Sequence, residues 1–228
     1  MVASSALPLG AWIGTRHAPS RVVTAALLAF ASGALITAVA FELFADAFVG
    51  GGVWRAGAAF LAGATVFIVV DTWLDRYTER RQATGLGVGY ALLAAVTLDG
   101  IPENLAMGVA LLESGSATLL VAIFASNLPE AVVGAEKMRE GGIGPRSIML
   151  IWGGTAILLA LAAVAGYGAF SGLSDSALAW PLGFAAGAVL ASLADTLMPE
   201  AFAEAGRRPA IAYFTALGFL LSFLVSAA

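Results

Sequence analysis

The sequence predicts an all-helical membrane protein with eight transmembrane helices, because of its composition, its apolar runs and its charge distribution. Hydrophobic residues make up 60% of the chain and charged residues only 11%, whereas soluble domains carry about 25% charged residues. The mean hydropathy is +0.92, so most of the surface must face lipid rather than water. We therefore expect the lipid bilayer to be the main partner of the protein.

Charged residues, glycines and prolines divide the chain into eight apolar runs, most of them near the roughly 20 residues that a transmembrane helix needs. The runs are Val2–Gly14, Val22–Phe48, Val53–Leu74, Leu86–Leu112, Ala117–Glu136, Ser147–Phe170, Ala177–Ala203 and Pro209–Ala227. The first run has 13 residues, and at about 1.5 Å per residue it cannot cross a hydrocarbon core of about 30 Å. We expect that this helix is a stub or that its true start lies upstream. It lacks the basic region and the cleavage site of a secretion signal, so we do not expect its removal.

Basic residues fall almost entirely on one side of the predicted membrane. Only Arg55 lies on the other side; the remaining ten of the eleven follow the first, third, fifth and seventh runs. These ten are Arg16, Arg21, Arg76, Arg80, Arg81, Lys137, Arg139, Arg146, Arg207 and Arg208. The positive-inside rule places these four loops in the cytoplasm and both termini outside. We expect a multi-pass protein of the cell membrane, inner or plasma.

An internal repeat links the second and seventh runs. Residues Ser32–Phe48 align without gaps on Ala186–Phe202, and six of the seventeen pairs are identical. The charge count orients these two runs oppositely across the membrane. Inverted repeats of this kind surround a midplane site in many secondary transporters, so the sequence predicts a 3+2+3 arrangement with the fourth and fifth helices in the middle.

Polar side chains inside the fourth and fifth runs are the strongest functional signal. Asp99 and Glu103 are spaced i, i+4 and share one helical face, as do Ser126 and Glu130, with Asn127 beside the second pair. A carboxylate at bilayer depth costs about 2.5–3.5 kcal/mol on insertion scales. Three such groups cannot all stay ionised together, so we expect the cluster to bind a cation or protons. The alternative is that the acids are protonated or paired and only brace bent helices.

Two Pro-Glu motifs carry a resemblance to a known family. The fourth run contains Asp99-Gly-Ile-Pro102-Glu103-Asn104 and the fifth contains Ser126-Asn127-Leu-Pro129-Glu130. Each proline withholds an N–H group, so we expect the helix to bend and to free backbone oxygens beside its carboxylate. Together with the eight spans and the repeat, these motifs resemble those of the ZIP (Zrt-, Irt-like) divalent-metal transporters, over the whole chain apart from its short first helix.

The resemblance implies a divalent metal cation transporter of the zinc, iron and manganese class, which moves metal towards the cytoplasm. It implies a midplane site between the fourth and fifth helices and alternating access by rocking of the repeat bundle against these helices. The metal ligands that it implies are Asp99, Glu103, Asn104, Ser126, Asn127 and Glu130. The metal would be the substrate, and no organic cofactor is expected. A homodimer remains an open expectation.

The chain departs from the family pattern at several ligand positions. Asp99 and Ser126 stand where the family motifs usually carry histidine, Gly100 stands where asparagine is common, and the sixth run has no acidic residue. A long histidine-rich loop is reduced to the segment Arg76–Gln82, so we do not expect metal sensing there. Oxygen ligands without imidazole or thiolate favour harder ions such as Mn²⁺ over Zn²⁺. The alternative function is a transport-inactive ZIP-like homologue with a regulatory or partner role.

Four further acids allow two interpretations: Glu42, Asp46, Asp195 and Glu200. In the first, they line a metal path, with Glu42 or Asp46 near the outer face and Asp195 or Glu200 near the cytoplasmic face. In the second, they are helix-end carboxylates in headgroup water. Three other acids are expected to pair with Arg76 and Arg80 at the interface: Asp71, Asp75 and Glu79.

Other functional classes find little support in the sequence. The absence of cysteine excludes disulfides, thiolate metal sites and cysteine catalysis. The single histidine, His17, lies outside the runs, so we expect no enzyme built on a Ser-His pair or a His-Glu-x-x-His site. An aspartyl dyad of Asp99 and Asp195 is the remaining enzymatic alternative. The net charge of −4 and the lack of a basic stripe give no reason to expect nucleic acid.

Overall fold

The structure is a computed structural model that describes residues 2–17, 19–82, 87–113, 117–205 and 209–227. Within these ranges the chain is helical and contains no β-strand. The α-helices are α1 (Ala6–Arg16), α2 (Arg21–Ala38), α3 (Ala45–Gln82), α4 (Gly87–Glu113), α5 (Ala117–Glu140), α6 (Pro145–Phe170), α7 (Asp175–Ser192), α8 (Met198–Ala205) and α9 (Pro209–Ser226). The all-helical prediction is confirmed for the residues described.

Three shorter segments complete the helical chain. A 3₁₀ turn, Ala3–Ser5, precedes α1. Two π-helical segments, Val39–Phe44 and Leu193–Leu197, join α2 to α3 and α7 to α8. The predicted second and seventh runs are therefore not uniform α-helices, because each contains a segment of wider helical turn.

Five helices among the described residues are long and apolar enough to cross a membrane. They are Arg21–Leu74, Ala117–Glu140, Pro145–Phe170, Asp175–Glu204 and Pro209–Ser226. The prediction of a membrane protein with transmembrane helices is confirmed to this extent. The first of the five has 54 residues, which at about 1.5 Å per residue is far longer than a hydrocarbon core of about 30 Å.

This long stretch is broken at Gly52. The backbone there has φ 73° and ψ 172°, a left-handed conformation that glycine adopts at little cost. A side chain at this position would meet nothing within 4 Å, so the backbone conformation rather than crowding calls for glycine. The break coincides with the predicted boundary between the second and third runs.

Helix ends differ from several predicted boundaries. The segment Arg76–Gln82, expected to be a loop, continues α3 as a helix. Helix α5 extends to Glu140 rather than Glu136, and α6 begins two residues early, at Pro145. Charged residues mark where a helix leaves the hydrocarbon, but they do not stop it, because headgroup water solvates their side chains.

Four pairs of helices approach so closely that a glycine is needed at each contact. At these glycines a Cβ atom would collide with a backbone carbonyl oxygen of the partner helix, which is the role of small residues in membrane helix packing. The pairs are α1 with α5 at Gly10, α2 with α9 at Gly33, α3 with α7 at Gly187, and α4 with α6 at Gly166.

The two helices of each pair run in the same direction. In α3 and α7, Ala56 lies against Gly183 and Phe60 lies against Gly187, so residue numbers rise together along both helices. Residue numbers also rise together in the other three pairs. In α1 and α5, residues 10 and 14 lie against 128 and 132. In α2 and α9, residues 30 and 34 lie against 218 and 222, and in α4 and α6, residues 100 and 105 lie against 159 and 166.

The buried hydrophobic residues form two clusters. The larger cluster contains residues of α2, α3, α7 and α9, and the smaller one contains residues of α1 and α6. Helices α4 and α5 contribute to both, through Ala106 and Ile123 in the larger cluster and Val96 and Ala135 in the smaller. The central helices therefore lie at the boundary between the two cores.

Candidate cation-binding site

The predicted carboxylate cluster is buried on the two central helices. Asp99, Glu103 and Glu130 retain only 6%, 3% and 7% of their accessible surface. Helix α4 supplies the first two and α5 the third, and each helix has a proline inside it, Pro102 or Pro129. Both helices continue through their prolines, so the acids are presented by helical backbone rather than by loops.

The structure brings the three acids into electrostatic range of one another. Glu103 interacts with Asp99, and Glu130 interacts with both. Negative charges at this distance in a low dielectric repel strongly unless a cation or protons offset them. That these residues share one metal site stays a prediction.

Two atoms of this cluster are buried without any hydrogen bond in the described part of the chain. They are Asp99 Oδ1 and Asn127 Nδ2. An unpaired buried polar group costs about 1–3 kcal/mol, so each such atom calls for an explanation, and a bound ion is one. Asp99 Oδ1 is an oxygen that a cation can bind directly. The Asn127 amide can be turned over to present its oxygen, because its two terminal atoms are nearly the same size.

Two of the predicted ligands are occupied in helix and helix–helix contacts. Ser126 Oγ donates to the carbonyl oxygen of Ile123 at 3.1 Å. Asn104 Nδ2 donates to the Gly100 carbonyl at 2.8 Å, and its Oδ1 accepts from Ser4 Oγ at 3.4 Å. Asn104 thereby ties the segment before α1 to α4, and it is a weaker candidate ligand than Asn127.

The four acids interpreted as path residues divide into two pairs. On the α7–α8 side, Asp195 is exposed and interacts with Asp99, while Glu200 interacts with Glu130. Glu200 Oε1 also lies 3.6 Å from Lys137 Nζ. On the α2–α3 side, Glu42 Oε1 accepts from Ser226 Oγ at 2.6 Å. Asp46 lines a separate cavity of about 420 Å³ that includes Asp175.

Sequence reasoning missed Thr196 and did not place Asp71 near the cluster. Thr196 Oγ1 lies 2.6 Å from the carbonyl oxygen of Ser192 in its own helix and 3.1 Å from Asp99 Oδ2, so its one proton is shared between these two acceptors. Asp71, expected to pair with arginines at the interface, is 6% exposed and interacts with Asp99. A signal existed for both, since Asp71 is a charge inside an apolar run and Thr196 aligns with Glu42 in the repeat. The side chains of Asp75, Glu79 and Arg80 lie outside the described residues.

The acids are close enough to interact but are not arranged as a finished metal site. In the described ranges, no three His, Cys, Asp or Glu side chains lie near enough together to hold a metal ion. A cation bound here would draw Asp99, Glu103 and Glu130 together through side-chain rotation. The backbone amide and hydroxyl groups nearby could supply its remaining oxygen ligands.

Comparison with known proteins adds no assignment. The chain matches no protein-family model and no curated protein. The fold and the site define an all-helical protein with transmembrane helices and a buried carboxylate cluster at the boundary of two cores.

Proposed function

We propose that the protein is a divalent metal cation transporter that carries its substrate across the membrane towards the cytoplasm. The observation that carries the proposal is Asp99 Oδ1, a buried oxygen without a hydrogen bond in the described chain, within electrostatic range of two buried glutamates. A buried carboxylate group of this kind needs a proton or a cation. The resemblance of the two Pro-Glu motifs to those of the ZIP family supports the choice of a metal cation.

We infer that the chain crosses the membrane eight times in a 3+2+3 arrangement. When the stretches before and after Gly52 are counted separately, the close pairs join the first span with the fifth, the second with the eighth, the third with the seventh and the fourth with the sixth. Every pair joins two odd or two even spans, as parallel pairs must if successive spans alternate in direction. This agreement supports a reversal of the chain at Gly52.

The same pairs support an inverted repeat. The predicted repeat relates spans one, two and three to spans six, seven and eight, and it relates span four to span five. Under this relation, the pair of spans one and five corresponds to the pair of spans six and four. The pair of spans two and eight corresponds to the pair of spans seven and three. Both resulting pairs occur among the four close pairs, and this agreement supports the proposed symmetry and the alignment of residues Ser32–Phe48 with Ala186–Phe202.

The proposed path runs from the buried cluster towards Glu200. Glu130 interacts with Glu200, and Lys137 lies beside Glu200. Lys137 is one of the ten basic residues that mark the predicted cytoplasmic side. Release of a cation past Glu200 would compete with the ammonium group of Lys137. Alternating access would require the two hydrophobic cores to move relative to each other, with α4 and α5 at their boundary.

Cation flux into liposomes that contain the purified protein tests this function. Each of Mn²⁺, Zn²⁺, Fe²⁺, Mg²⁺ and Ca²⁺ is offered separately, with a pH dye to detect coupled protons. We expect flux, with Mn²⁺ or another hard ion competing well against Zn²⁺ because the ligands are oxygens. Glu103→Gln and Glu130→Gln should abolish flux and also abolish cation-dependent stabilisation, which is about 2.7 kcal/mol at a hundredfold excess over Kd.

Glu140→Gln is the matched control. Glu140 is an exposed acid on the same helix as Glu130, so its substitution should leave flux and cation stabilisation unchanged. If Zn²⁺ outcompetes Mn²⁺ by about a hundredfold, or about 2.7 kcal/mol, through a site that needs Glu103, transport stands but the argument from ligand hardness is wrong.

A transport-inactive protein with a regulatory or partner role is the second candidate. The observation that favours it is the lack of a finished three-acid metal site within the described residues. In that case the wild type would show neither flux nor a thermal shift with any divalent ion. Glu103→Gln would then leave the stability unchanged or raise it, because a neutral amide avoids the cost of burying a carboxylate.

A further inference from the structure

A cavity lies between the end of α1 and the start of α6, away from the carboxylate cluster. Its volume is about 450 Å³, and it is lined by Trp12, Thr15 and Arg16 of α1 and by residues 145, 146, 149 and 150 of α6. Its described lining residues include no carboxylate. The proposed transport does not use this cavity.

Two arginines from different helices flank this cavity. Arg16 and Arg146 are both exposed, and neither forms an ion pair with another described residue. The guanidinium carbon of Arg16 lies 4.6 Å from the ring centroid of Trp12, a cation–π distance that holds the side chain in place. Guanidinium groups bind phosphate oxygens in pairs of parallel hydrogen bonds, so this end of the cavity is suited to a phosphate group.

Apart from Thr15, whose hydroxyl donates to the carbonyl oxygen of Trp12 at 3.0 Å, the rest of the cavity wall is apolar and continues onto the outer surface of the helices. Leu150 is 77% exposed and Trp12 is 45% exposed, and Met149 lies between the arginine end and Leu150 along α6. In a membrane, such residues contact acyl chains, while tryptophan prefers the level of the headgroups. The cavity therefore joins an anion-binding end to a lipid-facing wall.

The location of the arginines agrees with this chemistry. Arg16 and Arg146 belong to the ten basic residues that share one side of the predicted topology. The positive-inside rule makes this the cytoplasmic side. Anionic lipids are enriched in the cytoplasmic leaflet, and basic pockets between transmembrane helices on that side bind their headgroups.

We propose that this cavity is a binding site for an anionic phospholipid, with the phosphate on Arg16 and Arg146 and an acyl chain along Leu150. Inorganic phosphate shares the anionic chemistry but has no chain to contact Leu150. Because α1 also packs closely on α5 at Gly10, a bound lipid would link α6 to the helix that carries Glu130.

Lipid titration of the detergent-purified full chain tests this proposal. Phosphatidylglycerol and phosphatidylcholine with identical acyl chains are compared, with bound lipids counted by native mass spectrometry and stability followed by thermal unfolding. We expect phosphatidylglycerol to bind at least about tenfold more tightly, and the Arg16→Gln/Arg146→Gln variant to lose that preference. Glycerol phosphate at the same concentration should not compete.

The control is the Arg139→Gln/Arg55→Gln variant, which removes the same total charge from exposed positions outside the cavity. It should retain the preference for phosphatidylglycerol. Equal binding of both lipids, or an equal loss in the control, overturns the site. Competition by glycerol phosphate would show a soluble phosphate site and overturn the lipid proposal.

A second variant, Arg16→Lys/Arg146→Lys, serves if the double Gln variant does not fold. It keeps the charge and should bind phosphatidylglycerol more weakly, because lysine lacks the paired donors. Unchanged binding would overturn the site.

Discussion

The two copies of the internal repeat share a backbone design. Gly33 in α2 and Gly187 in α7 occupy equivalent positions, and at each a Cβ atom would overlap a carbonyl oxygen of the partner helix. Six aligned positions later, at Val39 and Leu193, hydrogen bonding changes from α to π in both copies, so the first residues of the two π segments are equivalent. Close helix contact and π segment thus recur together, which a chance alignment of small residues would not produce.

The two copies differ in what the π segment carries. At equivalent positions stand Glu42 and Thr196. Glu42 accepts a hydrogen bond from Ser226 of α9, whereas Thr196 donates one to Asp99 of α4. The same backbone irregularity therefore directs one side chain to the last helix and the other to the buried carboxylate cluster.

The two aligned segments are thus alike in backbone and different in the contacts of their side chains. The acids that follow the π segments differ in the same way, since Glu200 interacts with Glu130 but its equivalent, Asp46, lines a separate cavity. Thr196 and Glu200 of the α7–α8 copy therefore lie within range of the carboxylate cluster. In the proposed transporter, this places the carboxylate cluster in contact with only one side of the path.

The largest expected effect tests the shared scaffold. Gly33→Ala and Gly187→Ala should each destabilise the protein by about 3 kcal/mol, at the upper end of overpacking costs, because the new methyl group meets backbone that cannot rotate away. Thermal unfolding in detergent measures the change. If the copies are equivalent as scaffold, the two losses should be similar.

Gly57→Ala is the control for this comparison. Gly57 also lies in a helix, but a Cβ atom there would meet nothing within 4 Å. Alanine should be neutral or stabilise by up to about 1 kcal/mol, as expected for Gly→Ala in an open helical position. A Gly187→Ala protein as stable as Gly57→Ala would contradict the close contact with Phe60.

Much of this scaffold could be predicted from sequence because charge and hydropathy determine where helices enter and leave a membrane. The burial of Asp99, Glu103 and Glu130 was predictable for the same reason, since an acid within an apolar run has few alternatives. The π segments were not predictable, because one extra residue in a helical turn has no signature in composition. The Asp71–Asp99 interaction depends on how α3 packs beside α4, which residue spacing within one helix does not encode.

The next prediction concerns the hydrogen bond that distinguishes the copies. Thr196→Val keeps the side-chain shape and removes the hydroxyl that contacts Asp99 Oδ2. The cost should be about 1–2 kcal/mol of unfolding free energy. In liposomes the same variant should weaken cation competition, because Asp99 loses the group that orients it.

Thr65→Val is the matched control for Thr196→Val. The hydroxyl of Thr65 donates only to the carbonyl of Leu61 in its own helix, at 2.7 Å, and it is exposed. This substitution should change stability by less than about 0.5 kcal/mol. Equal effects of the two substitutions would mean that the hydrogen bond to Asp99 contributes nothing to the unfolding free energy. The two copies would then not differ in stability through this bond.

The smallest expected effect is the coupling between Lys137 and Glu200. The two side chains retain 33% and 20% of their accessible surface and lie 3.6 Å apart, so solvent screens much of their attraction. A double-mutant cycle with Lys137→Gln and Glu200→Gln should give a coupling of about 0.5–1 kcal/mol at low salt, decreasing as salt is added. The same cycle with Asp46→Asn in place of Glu200→Gln should give no coupling, because Asp46 lines a cavity formed by other residues. If Asp46 couples to Lys137 as strongly as Glu200 does, then the ion pair does not distinguish the copies, and Lys137 acts on the cluster only through the general field of the cytoplasmic side.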